Sequence, residues 1–141
     1  MLKETFESLK PELQVYRADG RRELFDAPDV IIPDGDVPAP VRFMPEFDNL
    51  LLSHTNRTRV IAEEHRSRVY LPGLRVAATI LVDGFVRGAW KVEKTKTATM
   101  LVIEPFFKLS RDERAALMEE GEKLIRFVES KSKSFEVRFA E

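Results

Sequence analysis

Residues 76–103 read VAATILV-DG-FVRGAWKV-EKTK-TATMLVI, three β-prone runs separated by two turn signals. Asp83-Gly84 between apolar runs is a strong short-range hairpin signal, and Glu93-Lys94-Thr95-Lys96 supplies the second turn. The expectation is a three-stranded antiparallel meander. Alternation puts Ile80 with Val82 on one face, Val86 with Trp90 and Val92 on one face, and Met100 with Val102 on one face. The small residues Ala77, Ala78, Gly88 and Ala89 between large ones predict close backbone approach and a curved, barrel-like sheet.

Downstream, Ser110-Arg111-Asp112-Glu113 is an S-x-x-E capping box that starts a long helix. Leu117, Gly121, Leu124 and Val128, with Met118 and Ile125 beside them, form its apolar stripe. Lys131 and Lys133 lie near its end, where cations suit the helix dipole. Residues 134–139, SFEVRF, alternate strictly and predict a last strand closing the sheet. The fold class is α+β: a mostly antiparallel, barrel-like sheet with one long C-terminal helix, preceded by a helix and a wing-like hairpin.

Upstream, residues 42–61 read RFMPEFDNLLLSHTNRTRVI. Phe43, Phe47 and Leu50-Leu51-Leu52 are expected to be buried, and they deliver the polar and cationic group Ser53, His54, Asn56, Arg57 and Arg59. An apolar anchor carrying hydrogen-bonding and basic side chains to one place suits a surface that contacts phosphates or bases. It equally suits a core strand followed by a solvated turn. Residues 62–68 read as a short charged helix or loop, and Pro72-Gly73 as a turn.

At the start, Leu2, Phe6, Leu9 and Leu13 mark a short amphipathic helix that Pro11 ends. LQVYR-ADGR-RELFD then places two β-prone runs around Asp19-Gly20, a hairpin. Residues 26–40, DAPDVIIPDGDVPAP, hold four prolines and four aspartates and form a connector, which Val30-Ile31-Ile32 should pin to the body. The expected organisation is a helix plus hairpin over 1–25, a connector over 26–40 and an α+β body over 41–141.

The string Phe43-Met44-Pro45-Glu46-Phe47-Asp48-Asn49-Leu50-Leu51-Leu52-Ser53-His54, continued by Asn56-Arg57-Thr58-Arg59-Val60, resembles a segment of the winged-helix DNA-binding-domain family that includes the AlkZ-like DNA glycosylases. Leu81-Val82-Asp83-Gly84, Gly88-Ala89-Trp90 and Glu104-Pro105 follow in the same order as in that family. The resemblance implies the barrel-like C-terminal part of the family's architecture, with residues 1–25 as the last helix and wing of a winged helix. It also implies duplex DNA as a partner, and either an N-terminal winged-helix partner or self-association to cover the solitary helix and wing. The family's glycosylases use a Gln-x-Gln-type motif in their N-terminal region. This chain has one glutamine, Gln14, so no catalytic residue carries over.

The charge distribution is compatible with DNA binding although the net charge is −1. Residues 1–41 hold 5 Lys/Arg against 9 Asp/Glu, residues 42–108 hold 11 against 7, and residues 109–141 hold 7 against 8. A basic centre between acidic flanks suits a basic face. The candidate DNA contacts are His54, Asn56, Arg57, Arg59, Arg66, Arg68, Lys94 and Lys96, with Arg87 and Lys91 as further cations. Arg57/Arg59, Arg66/Arg68 and Lys94/Lys96 are each two apart, so in extended backbone each pair faces one side, about 6.5–7 Å apart, as successive phosphates require.

Other chemistry is poorly supplied. The two histidines, His54 and His65, have Glu46, Asp48, Glu63 and Glu64 near them in sequence but in no ligand register, so no metal and no cofactor is expected. Ser53 and His54 are adjacent and would point apart on a strand, which disfavours a hydrolase. The absence of cysteine, of a long apolar run and of a signal peptide predicts a cytoplasmic protein without membrane association. The leading expectation is a DNA-binding accessory module lacking the catalytic motif. Its rival is a non-catalytic protein-interaction domain using Phe106, Phe107 and the Leu2-Phe6-Leu9 stripe.

Overall fold

The computed structural model describes residues 2–17, 23–95 and 98–140. The chain divides into two compact units, Met1–Val37 and Pro38–Glu141.

In the first unit, α1 (Leu2–Leu9) runs into a 3-10 turn, Lys10–Glu12, where Pro11 removes a helical donor. Strands β1 (Gln14–Arg17) and β2 (Glu23–Asp26) pair antiparallel, from Gln14↔Asp26 to Arg17↔Glu23. The predicted Asp19-Gly20 turn between them lies outside the described residues. Phe6 meets Phe25 edge-on at 5.1 Å, and Lys10 sits over both rings. No described residue of α1 is buried. The connector departs from expectation, because Val30, Ile31 and Ile32 are all exposed, Ile31 by 91%. Proline removes ladder donors around them, so no sheet covers the triplet.

The second unit holds β3 (Arg42–Met44), α2 (Asn49–Leu52), a 3-10 turn (Glu63–His65) continuing into α3 (Arg66–Val69), and the short hairpin β4 (Tyr70–Leu71) and β5 (Arg75–Val76). The predicted meander follows as β6 (Thr79–Val82), β7 (Phe85–Lys94) and β8 (Thr99–Pro105), then α4 (Arg111–Val128) and β9 (Phe135–Phe139). Asp83 and Gly84 turn β6 into β7 with φ of 50° and 75°, the two positive values that a tight hairpin of this hand requires.

The sheet order is β3-β6-β7-β8-β9. All pairings are antiparallel except β8–β9, which is parallel because α4 carries the chain across as a crossover. This corrects the barrel-like expectation. β9 joins the outer edge of β8, β3 ends the other side after three residues, and the sheet stays open with two unlike edges.

Both faces of the sheet are partly covered. On one, Ile80, Val82, Leu101, Ile103 and Val137 pack with Leu117 and Ile125 of α4. On the other, Leu81 and Val86 pack with Leu51, Ile61, Val69 and Val76. The predicted helix stripe is buried at Leu117, Gly121 and Ile125, while Val128 is exposed. Trp90 reaches across β6: its Nε1 donates to the Met44 carbonyl at 2.9 Å, and its ring meets Phe43 edge-on.

Serving two cores imposes a break in β7. Leu81 pairs with Val86 but Ile80 pairs with Gly88, so Arg87 is an extra residue in a β-bulge. The bulge puts Val86 in the second core while Trp90 and Val92 pack on the α4 side. Simple alternation, which grouped these three, fails there for that reason.

Two consequences are measurable. A Cβ at Gly88 would stand 2.6 Å from the Glu104 carbonyl oxygen and 3.0 Å from Pro105 Cα, both backbone atoms of β8. Gly88→Ala should therefore cost about 1–3 kcal/mol by overpacking, read from urea unfolding. Gly35→Ala, which meets nothing within 4 Å, should stay near wild type. Equal midpoints for the two would refute the close approach.

The capping box gives the second. Ser110 Oγ accepts from the Glu113 N–H at 3.2 Å, and the Ser110 N–H donates to Glu113 Oε2 at 2.6 Å. The bond from the Ser110 backbone is the largest cause holding the Glu113 carboxyl below its ordinary value of 4.5. The associated stability is present above the unfolded-state value and is lost as pH falls through the lowered one. Thermal midpoints of wild type and Glu113→Gln, whose amide oxygen still accepts without titrating, should converge as the pH is lowered from roughly 6 to 3. A constant gap would exclude this linkage.

Candidate nucleic-acid interface

The loop 53–61 is shaped by its own polar side chains. Asn56 Oδ1 accepts from the Thr58 N–H at 3.0 Å and bonds the Thr58 hydroxyl at 2.8 Å, an Asx turn. The Arg57 carbonyl then accepts from both Val60 and Ile61 N–H groups at 3.0 Å. Arg57 and Arg59 thus lie on a turn, and the even spacing expected of extended backbone is absent. Asp48 caps α2, its carboxylate accepting from the Leu50 N–H at 2.8 Å, and the leucine triplet is helical, with Leu51 buried but Leu52 and Phe47 exposed.

Arg57 is held firmly. Its Nη2 donates to the Leu52 carbonyl at 3.1 Å, and its guanidinium lies 5.3 Å from the centre of the Tyr70 ring. Arg66 lies 5.5 Å from the same ring, with Glu63 at 3.4 Å. Tyr70 is fixed in turn by donating its hydroxyl hydrogen to the Leu51 carbonyl at 2.8 Å. Of the two cations at this ring Arg66 is paired with Glu63, whereas Arg57 is held by the ring and a carbonyl and keeps its charge for an anion.

A second group grows from the same helical turn. Arg66 and Arg68 are about 200° apart around a helix, so α3 sends them to different rings. Arg68 stacks on Phe106 at 4.0 Å and pairs with Glu104 at 2.8 Å. Arg87, aimed by the bulge, stacks on Phe107 at 4.4 Å. His65 lies against both phenylalanines, at 5.1 and 5.9 Å. The Nε atoms of Arg57 and Arg87 are buried and have no hydrogen-bond partner among the described residues.

The result is a row of cations interleaved with aromatic rings: Arg57, Tyr70, Arg66, then His65, Phe106, Arg68, Phe107 and Arg87. Phe106 and Phe107, expected as exposed interaction groups, are half-buried beneath arginines. Tyr70 and His65 were not among the expected DNA contacts, and Arg87 was named only as a further cation. Only Arg87 carried a sequence signal, its place in the basic central segment. Arg59 and His54 are exposed and have no ion pair among the described residues.

The remaining candidates lie elsewhere. Lys94 ends β7, seven residues beyond Arg87 and hence about 23 Å along the strand, and pairs with Glu129 at 2.8 Å. Lys96 lies outside the described residues. Next to the row, and sharing Glu104 with it through Arg68, the sheet bears an open groove of about 280 Å³ over Ala89 and Val102, walled by Lys91, Glu93, Glu104 and Arg138. Within it Glu93 meets Lys91 at 2.7 Å and Arg138 at 3.2 Å, while Glu104 pairs with Arg68 of the row at 2.8 Å. The hydrogen bond from Lys91 is the largest cause lowering the Glu93 carboxyl's pKa. The groove contains neither Ser53 nor His54, the pair weighed for a hydrolase. Among the described residues no three His, Asp or Glu side chains cluster as metal ligands, and no helix is long and apolar enough to cross a membrane.

A family model described as DNA glycosylase AlkZ-like matches residues 1–127. Among solved structures, the Streptomyces sahachiroi DNA glycosylase AlkZ matches with a TM-score of 0.71 and 24% identity. That match covers 99% of this chain and 36% of the other, so the likeness is one of fold to about a third of the larger protein. No curated protein matches the chain.

Proposed function

The chain belongs to the AlkZ-like DNA glycosylase family, and from that premise we propose that it is a DNA-binding accessory module of a DNA-repair protein. It corresponds in this reading to the C-terminal part of the winged-helix architecture and grips duplex backbone without performing base excision itself. The observation that carries this is the arginine–aromatic row from Arg57 to Arg87. Stacked guanidinium groups are preorganised, so little side-chain entropy is lost when they meet phosphates. Contacts of that kind fix position on the duplex without reading its sequence.

Catalysis is assigned to residues outside this chain, because a single glutamine, Gln14, cannot make a Gln-x-Gln pair. In the same reading α1 and the β1–β2 hairpin are a last helix and wing whose companion helices come from another segment or a second copy. The exposure of Leu2, Phe6, Leu9 and Val15 supports that, since large apolar side chains gain about 1.5–3 kcal/mol each on full burial. The same exposure favours the alternative reading, a protein-interaction domain, for the first unit alone.

Fluorescence anisotropy with short duplex DNA tests the binding. Four phosphate contacts predict a log–log salt slope of roughly −3 to −4, and Arg57→Ala or Arg66→Ala should each flatten it by about one unit on every sequence. Lys94→Ala and Arg126→Ala, away from the row, should change it little. No binding at low salt, or equal losses in all four variants, would refute the assignment.

A glycosylase assay tests the catalytic half. The purified chain should release no alkylated purine from duplex DNA. Release that a point substitution in this chain abolishes would overturn the accessory role.

A further inference from the structure

Strand β9 ends the sheet: it pairs with β8, and no strand lies beyond it among the described residues. Its hydrogen bonding has a fixed parity. The Ser134 carbonyl accepts the Thr99 N–H at 3.0 Å, and the Ala140 N–H donates to the Ile103 carbonyl at 2.7 Å. In a parallel ladder the N–H and C=O of one residue point to the same side, and the side alternates along the strand. Glu136 and Arg138 therefore bond β8, while Phe135, Val137 and Phe139 direct their backbone groups to the edge. Bulges and prolines commonly blunt such an edge. The register here runs without a shift from Thr99↔Phe135 to Ile103↔Phe139, and the strand holds no proline.

The edge is held in place by side chains. Val137 is buried under α4, where a Cβ at Gly121 would stand 3.0 Å from its Cγ1. Arg114 lies 3.7 Å from the centre of the Phe139 ring, and Arg126 lies 5.2 Å from that of Phe135. By alternation Glu136 and Arg138 take the other face. Arg138 meets Glu93 at 3.2 Å, whereas Glu136 is exposed and has no ion pair among the described residues.

This strand, FEVRF, is complementary to itself. Laid antiparallel on a second copy about Val137, it sets Phe135 opposite Phe139, Glu136 opposite Arg138, and Val137 opposite Val137. Odd-numbered residues then face odd-numbered ones, so the outward N–H and C=O groups of both strands meet. Glu136 and Arg138 fall twice at the closer, non-hydrogen-bonded positions, where opposite charges attract. A slip of one residue sets outward groups against inward ones. A slip of two puts Glu136 on Glu136 or Arg138 on Arg138, which is repulsive.

We propose that the second unit forms a twofold homodimer by antiparallel pairing of β9 with β9 of a second copy, centred on Val137 and joining the two sheets. The proposal is independent of the DNA-binding reading. Charge order decides the occupant, because this strand itself carries the reversed order of charges that its edge requires. The interface is isologous, as a twofold dimer demands. A five-residue strand pair buries less than a standard interface, so association belongs in the micromolar range or weaker.

The test is sedimentation of the full chain from low to high micromolar concentration, with amide exchange followed by NMR. Wild type should pass from monomer to dimer. The amides of Phe135, Val137 and Phe139 should slow with concentration, and those of Glu136 and Arg138, already bonded to β8, should change far less. Glu136→Arg sets arginines against arginines and should weaken the dimer about tenfold, since two attractive pairs become repulsive. Arg138→Glu should do the same with carboxylates. Mixed in equal amounts, the two variants regain opposite charges at both positions and should restore a heterodimer. Should Arg138→Glu, which also loses its Glu93 contact, fail to fold, Glu136→Arg and the exchange pattern decide alone. A strictly monomeric wild type, a dimer indifferent to Glu136→Arg, slowing without the odd-residue pattern, or two folded variants that fail to pair each overturns the proposal. Self-association through the first unit would appear as that indifference.

Discussion

A single ten-residue strand, β7, has to serve two hydrophobic cores on opposite faces of one sheet. Strict alternation cannot give Val86 to one core and Trp90 with Val92 to the other, because all three share parity. The extra residue at Arg87 resolves the conflict by shifting the register between Ile80 and Leu81. Much else follows from that shift. It frees the Arg87 carbonyl to accept the Phe106 N–H at 2.9 Å, which fixes the end of β8 beneath the arginine row. It also turns the Arg87 side chain onto Phe107. Packing and the candidate interface thus depend on the same backbone irregularity.

The arginines illustrate how a chain with net charge −1 presents a cationic surface. Several are held over rings: Arg57 and Arg66 on Tyr70, Arg68 on Phe106, Arg87 on Phe107. A ring restrains a guanidinium without neutralising it, whereas a carboxylate does both. Arg66 and Arg68 also meet carboxylates, Glu63 and Glu104, so Arg57 and Arg87 are the cations of the row held by rings with no ion pair among the described residues. Lys91, Arg138 and Lys94 are tied to Glu93 and Glu129, which leaves their end of the sheet nearly neutral.

Much of the fold was legible before the structure. The Asp83-Gly84 hairpin, the Ser110–Glu113 capping box and the alternating last strand are local signals, set by backbone conformation and short-range hydrogen bonds, and each appears where it was expected. Gly88 was readable as a point of close approach because a small residue between large ones in a strand has few other uses. Arg57, Arg66 and Arg68 were readable as cations of a basic segment.

What the sequence determined by itself was the elements and the pool of charged residues. Which cations meet, and on what, was decided only by tertiary structure. Arg68 and Phe106 are 38 residues apart and Arg57 and Tyr70 are 13 apart, so no periodicity connects them. The parallel placement of β9 depends on where α4 crosses, and a strand's alternation is the same in either direction. Lys94 looked equivalent to Arg57 until the fold paired it with Glu129. The exposure of Phe47 and Leu74 was equally hidden, since apolar identity predicts burial, whereas each stands exposed in a turn on backbone of positive φ.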